Sequence, residues 1–168
     1  PVDSPYETYV YNSSNNPIAI PSTYQVDRII YGTDISDVNF RDLDDIFYDG
    51  HDRLYICDAG NNRILVTDKG FSVVKILETF DNNGVADAFN APTGIFANGE
   101  NIYVADSKNG RIVMFKRDTF ELVRVFEKPD VSLLGESFNY VPARLAVDKA
   151  GRIYVIAEGI NQGLLCLD

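Results

Sequence analysis

Three stretches of this chain are variants of one pattern, and that repeat constrains the fold more than anything else in the sequence. Leu54-Tyr-Ile-Cys-Asp-Ala-Gly-Asn-Asn-Arg-Ile64 aligns residue for residue with Ile102-Tyr-Val-Ala-Asp-Ser-Lys-Asn-Gly-Arg-Ile112. Ile153-Tyr-Val-Ile-Ala-Glu-Gly-Ile-Asn-Gln-Gly-Leu164 is a looser third copy with one extra residue. The central tyrosines stand 48 positions apart (Tyr55 to Tyr103) and then 51 (Tyr103 to Tyr154). In every copy a short apolar run (Ile46 to Tyr48, Ile95 to Ala97, Leu145 to Val147) leads into a turn of Asp, Gly, Asn or Lys and then the Tyr-centred run. A polar loop and a third apolar run follow (Ile64 to Thr67, Ile112 to Phe115, Leu164 to Leu167), and two copies add a fourth, Phe71 to Leu77 and Phe120 to Phe126. Short runs of period 2 separated by turn chemistry are strands in hairpins, which excludes a helical solenoid.

Four antiparallel strands per repeat of this length is the signature of a β-propeller blade, so the expected class is all-β. The residue usage agrees: the chain is 45% hydrophobic with ten Tyr, ten Phe and no Trp, and its apolar runs are rich in Val and Ile. The repeat divides the chain into blades at 40–80 and 81–127 and a partial blade at 128–168. Residues 1–39 supply strands of a closing or partial blade: Tyr6 to Tyr11 and Ile18 to Ile20 around the turn Ser13 to Asn16, then an outer strand over Tyr24 to Ile30. Closed rings typically use about 4–8 blades. The expectation is therefore a partial ring, from a longer protein or closed by two chains, with self-association through the open blade edges.

Charge narrows the partners. Fifteen basic against 25 acidic residues give a net charge of −10 without a basic run, which disfavours nucleic acid and an anionic membrane surface. No stretch approaches the ~18 apolar residues of a membrane-spanning helix, so direct membrane insertion by this segment is not expected. Cys57 and Cys166 lie inside apolar runs without CxxC spacing and are expected to be buried thiols.

The blocks Tyr55 to Ile64 and Pro92-Thr-Gly-Ile95 with Tyr103 to Ile112 resemble the NHL repeat, over about residues 40 to 168 and most specifically in the middle copy. Leu43 stands where the other copies have Pro92 and Pro142, and Ala157 replaces the Asp. The N-terminal stretch, Pro5 to Tyr11 followed by Arg28 to Asp34, is similar to the start of Gram-positive bacterial proteins in which an extracytoplasmic NHL propeller precedes a Yip-type membrane domain. The resemblance implies an NHL-type propeller that is extracytoplasmic, at the cell surface or secreted, with any membrane anchor outside this segment.

Asp58 with Arg63 and Asp106 with Arg111 recur at one spacing around the polar loop. Each Asp can accept hydrogen bonds from loop amides while Arg63 and Arg111 tie neighbouring blades together. Alternatively, Asp58, Asn61, Asn62, Asp106, Lys108 and Asn109 form a polar ligand-binding rim on one end. Asp81 to Asp87 offers oxygens around a glycine, but its spacing departs from a calcium-binding loop, and Asn82-Asn83-Gly84 suits a turn in a connection between blades. Some NHL-type propellers are zinc lyases that use several histidines; here the sole histidine is His51, in an expected surface turn. No nucleophile elbow or phosphate-binding glycine motif is present. No catalytic residue, metal ligand or cofactor is thereby marked. The expected function is a non-catalytic binding scaffold for a protein, peptide or glycan, and the alternative is a calcium-assisted lyase or lactonase with its site in the channel.

Overall fold

The structure is a computed structural model that describes residues 8–20, 27–130, 138–160 and 164–168. The chain divides into two compact units, residues 1–31 and 32–168. In the first, strands β1 (Thr8–Tyr11) and β2 (Pro17–Ile20) form an antiparallel hairpin with Thr8 opposite Ile20 and Tyr11 opposite Pro17. Asn12 closes its turn by accepting the N–H groups of Ser14 and Asn16 on Oδ1, and Asn15 takes a left-handed φ of 59°. Those are the roles for which asparagine is suited in turns. Of the outer strand expected over Tyr24 to Ile30, residues 24–26 lie outside the described residues. Asp27 to Ile30 form no strand. A strand of this kind is defined by ladder bonds to a neighbour, and among the described residues no sheet includes them.

The second unit begins with a single helical turn, α1 (Gly32–Ile35). Strands β3 (Leu43–Tyr48), β4 (Arg53–Asp58), β5 (Arg63–Asp68) and β6 (Val73–Leu77) then form an antiparallel sheet in chain order. A hairpin of β7 (Thr79–Asn82) and β8 (Val85–Ala88) follows. The second four-stranded sheet comprises β9 (Pro92–Ala97), β10 (Asn101–Asp106), β11 (Arg111–Lys116) and β12 (Leu122–Phe126). The third comprises β13 (Val141–Val147), β14 (Ile153–Glu158) and β15 (Leu165–Leu167). Where the sequence suggests only a polar connection at Asp81 to Asp87, the chain makes the hairpin β7–β8. Asn83 and Gly84 sit at its tip with φ of 56° and 85°, the left-handed pair of a two-residue hairpin turn.

Period-2 alternation determines how the sheets stack. Tyr55 and Cys57 of β4 and Ile64 and Val66 of β5 pack against Ile95, Ile102, Val104, Val113 and Phe115 of the second sheet. The opposite face of that sheet, with Tyr103 and Ile112, packs against Ile153, Val155 and Ala157 of the third. The middle strand β10 is therefore buried at every position. Each large apolar side chain fully buried in this way contributes about 1.5–3 kcal/mol, so the inter-sheet layers are the main source of stability. Phe80 and Phe89, from the hairpin and the segment after it, meet Phe115 at ring-centroid distances of 5.1 and 5.9 Å and extend the first layer outward.

Cys57 is buried in this layer, but Cys166 is exposed, contrary to the expectation of two buried thiols. The reason is its place: β15 alternates Leu165, Cys166, Leu167, and the two leucines take the packed side. His51 is exposed in the β3–β4 turn, where its N–H is held by Asp49.

Candidate functional site

The repeated loop between the second and third strands carries most of the residues singled out in the sequence, and the structure uses them alike in both sheets. Asp58 accepts the Arg41 N–H on Oδ1 at 2.8 Å, and on Oδ2 it accepts Asn61 Nδ2 at 2.9 Å and Arg63 Nε at 2.6 Å. Asp106 repeats this with the Asn90 N–H at 2.7 Å, Asn109 Nδ2 at 2.9 Å and Arg111 Nε at 2.8 Å. Both carboxylates are 0% exposed. Asp58 and Asp106 therefore do not face solvent as a rim, and Asn61 and Asn109 spend their amides on these carboxylates and on the Asn39 and Ala88 carbonyls.

Arg63 and Arg111 tie each sheet to the chain preceding it rather than to the neighbouring sheet. Arg63 reaches Ser36 Oγ and the Val38 carbonyl, both at 3.3 Å. Arg111 grips Asp87 with two bonds, at 2.7 and 2.9 Å, and donates to the Ala88 carbonyl. This guanidinium, assisted by Asn82 and the Ala88 N–H, holds the Asp87 carboxyl far below the usual range against the opposing effect of burial.

Asn62 ties the first loop to the segment entering the second sheet, its Oδ1 accepting the Ala91 N–H at 2.8 Å, and further bonds between sheets come from outside the candidate set. Near the starts of the inner strands, Asp45 accepts the Ile95 N–H at 3.0 Å, Arg144 donates to the Thr93 carbonyl, and Ser107 Oγ donates to the Pro142 carbonyl at 2.6 Å. Arg144 also reaches Asp44 Oδ1 at 2.6 Å and so connects the third sheet to the first. At the opposite end Arg117 Nη2 binds Asp49 at 2.7 Å and Asp52 at 2.6 Å, and Arg53 Nη1 donates to the Arg117 carbonyl at 2.6 Å. Burial works to raise the Asp49 carboxyl, but Arg117 and the N–H groups of His51, Arg53 and Asp52 outweigh it and hold the group at about 2. One signal for this end is present in the sequence: a turn-opening Asp or Asn recurs at Asp49, Asn98 and Asp148, and each accepts backbone N–H groups of its own turn.

What faces solvent at the loop end is a pair of equivalent notches between successive sheets. One, of about 480 Å³, is lined by Asn62, Asp87, Asn90 and Asn109 among others. The second, of about 460 Å³, is lined by Lys108, Asn109, Glu127, Lys128, Asn139 and Tyr140 among others. Asn62 and Lys108 are exposed there. The Tyr140 hydroxyl is buried without a hydrogen-bond partner, and burial pushes it up to about 12. Among the described residues, no group of three or more His, Cys, Asp or Glu side chains is placed to hold a metal ion, and no helix is long and apolar enough to cross a membrane.

No family model matches the chain, and no curated protein matches it. Solved structures do. Hydrazine synthase of Kuenenia stuttgartiensis is similar over 71% of this chain and 31% of its own, with 18% identity and a TM-score of 0.50. A candidate exported protein of Bacteroides fragilis matches over 76% and 35%, with 12% identity and a TM-score of 0.56. Virginiamycin B lyase from Staphylococcus aureus matches over 95% and 47%, with 13% identity and a TM-score of 0.50. The chain thus spans a third to a half of the length of these structures. Likeness at such identities concerns fold alone, and taken with the stacked antiparallel sheets it makes the chain a β-propeller.

Proposed function

We propose that this chain is an NHL-type propeller scaffold that binds a protein, extended peptide or glycan across its loop end and does no chemistry itself. The observation carrying this reading is the division of labour at that end. The repeated carboxylates are buried and neutralised by their own arginines, which leaves the ammonium of Lys108, the exposed Asn139 and the Nδ2 group of Asn62, whose Oδ1 accepts the Ala91 N–H, along two shallow notches. Amide and ammonium groups supply adaptable hydrogen bonds, which suits a glycan or an extended chain better than bond cleavage. The calcium-assisted alternative needs converging oxygens at the axis, where Asp44 is taken by Arg144 and Asp45 by the Ile95 N–H. The N-terminal resemblance, together with a fold shared with a candidate exported protein, supports an extracytoplasmic site of action.

The test is a glycan and peptide array probed with the wild type and with Lys108→Glu, whose side chain is exposed and bears no part of the buried network. Ligands that lose binding at least tenfold in the variant, at an unchanged melting temperature, support the reading. Binding unaffected by Lys108→Glu, or an array without hits alongside calcium-dependent turnover of a lactone, overturns it.

A further inference from the structure

Asparagine is followed by glycine three times in this chain, at Asn83-Gly84, Asn98-Gly99 and Asn109-Gly110. Such a step can modify itself. The glycine amide nitrogen lies near enough to the asparagine side chain to close a five-membered ring on Cγ, and no Cβ stands beside it. The reaction needs a glycine N–H free of hydrogen bonds, donors on Oδ1 to receive the charge that develops there, and an Nδ2 free to leave. The structure separates the three steps on these conditions.

In two of them the nucleophile is tied down. The Gly84 N–H donates to Asp81 Oδ1 at 2.9 Å, and the Gly110 N–H to the Ser107 carbonyl at 3.1 Å. The leaving groups are held as well: Asn83 Nδ2 donates to Asn82 Oδ1, and Asn109 Nδ2 to Asp106 Oδ2 and the Ala88 carbonyl. In the β9–β10 turn neither restraint applies. Among the described residues, the Gly99 N–H and Asn98 Nδ2 have no hydrogen-bond partner. Asn98 Oδ1, by contrast, accepts the Glu100 N–H at 3.0 Å and the Asn101 N–H at 2.8 Å. These bonds fold the side chain back along Gly99 and set two donors on the oxygen that turns anionic during attack. Gly99 is exposed, so water reaches the turn.

We propose that Asn98 is a site of spontaneous deamidation, converted through a succinimide to aspartate and isoaspartate with water as the net co-reactant. Hydroxide takes the Gly99 amide proton, the nitrogen bonds to Cγ, and the carbonyl electron pair moves to Oδ1. That pair returns as the Cγ–Nδ2 bond breaks; Nδ2 takes a proton from water, regenerating hydroxide, and leaves as ammonia. Water then opens the ring at Cγ to give aspartate, or at the backbone carbonyl carbon of residue 98 to give isoaspartate. One water is consumed, one ammonia is released, and the residue exchanges NH for O. The other copies hold Asp49 and Asp148 at this place, and their Oδ1 atoms accept turn N–H groups in the same way. The aspartyl product therefore fits the turn as it stands, whereas the isoaspartyl product lengthens the turn backbone by a methylene and does not.

Peptide mass mapping of the intact folded chain, held at constant mildly alkaline pH, is expected to show Asn98 converting at least tenfold faster than Asn83 or Asn109. Enzymatic methylation of isoaspartate should label the same peptide. In urea, where the turn is lost, the three rates should converge to within a few-fold. Gly99 takes no left-handed φ, and a Cβ there would meet nothing within 4 Å. Gly99→Ala should therefore keep the melting temperature while crowding the attacking nitrogen and slowing conversion of Asn98 at least tenfold. Conversion of Asn98 no faster than that of the other two in the folded chain overturns the proposal. A lead that persists unchanged in urea, or a wild-type rate in Gly99→Ala, overturns it equally.

Discussion

Removing the carboxylate of Asp58 should cost more stability than removing that of Asp106, although the two occupy equivalent places in the repeat. Each truncation to Ala leaves one backbone N–H without its acceptor, that of Arg41 or of Asn90, so this part of the cost is shared. The difference lies in the arginine left behind. Without Asp58, Arg63 retains only Ser36 Oγ and the Val38 carbonyl at 3.3 Å, and its side chain is 3% exposed. It becomes a buried charge without a counter-ion, a situation that costs about 3–5 kcal/mol. Without Asp106, Arg111 still holds Asp87 through both terminal nitrogens, so the loss is one charge-assisted bond, about 1.5–3 kcal/mol. The expected gap is about 2 kcal/mol, equivalent to roughly 1 M in urea midpoint at a typical slope or 4–8 °C in melting temperature. Urea titrations of Asp58→Ala and Asp106→Ala measure it directly. Equal midpoints, or a lower midpoint for Asp106→Ala, would refute the reasoning. Deleting Asp87 together with Asp106 should then bring the second site down to the level of the first.

Two further outcomes follow from the contacts between sheets. Asp49 ionises at about 2 in the folded chain against about 3.9 when unfolded. Its contribution, on the order of 2 kcal/mol, is therefore fully present above pH ~4 and lost as pH falls through ~2; acid titration of stability should flatten in that window in Asp49→Asn. Gly94→Ala would set a methyl 2.5 Å from the Ala143 carbonyl and 3.1 Å from Arg144 Cα. The second and third sheets must then part locally at a cost of about 1–3 kcal/mol, visible as faster hydrogen exchange across β13 but not across β4.

Although the β7–β8 hairpin and the lack of a strand over Asp27 to Ile30 depart from the expectation, the other strands and their order follow from the sequence because they depend on local rules: period-2 alternation, turn residues and the spacing of the copies. The same is true of the β1–β2 turn and of the Asn83-Gly84 bend. Prediction failed where the cause lies in chain segments distant in sequence. The roles of Arg63 and Arg111 depend on what lies at Ser36 and Asp87, which spacing within the repeat does not reveal. Arg117 and Arg144 lie outside the repeated loop and act across 68 and 100 positions, so no local pattern marks them. Cys166 was misplaced because an apolar run does not indicate which of its two faces is covered; that depends on a neighbouring sheet.

The candidate contacts are best separated from the architecture by comparing the two full copies of the loop. Asn61 and Asn109 are identical and serve the same carboxylates. Asn62 corresponds to Gly110, and both take a left-handed φ, 54° and 63°, which either residue tolerates; Asn62 in addition accepts the Ala91 N–H on Oδ1 at 2.8 Å, an architectural bond. Lys108 corresponds to Gly60, whose hypothetical side chain would strike the Arg41 carbonyl at 2.8 Å. The first loop is thus closed at this position by its own chain, while the second is open enough to carry a long exposed cation on an acidic protein. Neither turn geometry nor the buried network requires a lysine there. If the loop end binds anything with selectivity between its two notches, Lys108 is the residue through which it does so, and an acidic or carboxylate-bearing ligand should prefer the notch between the second and third sheets over its counterpart between the first and second.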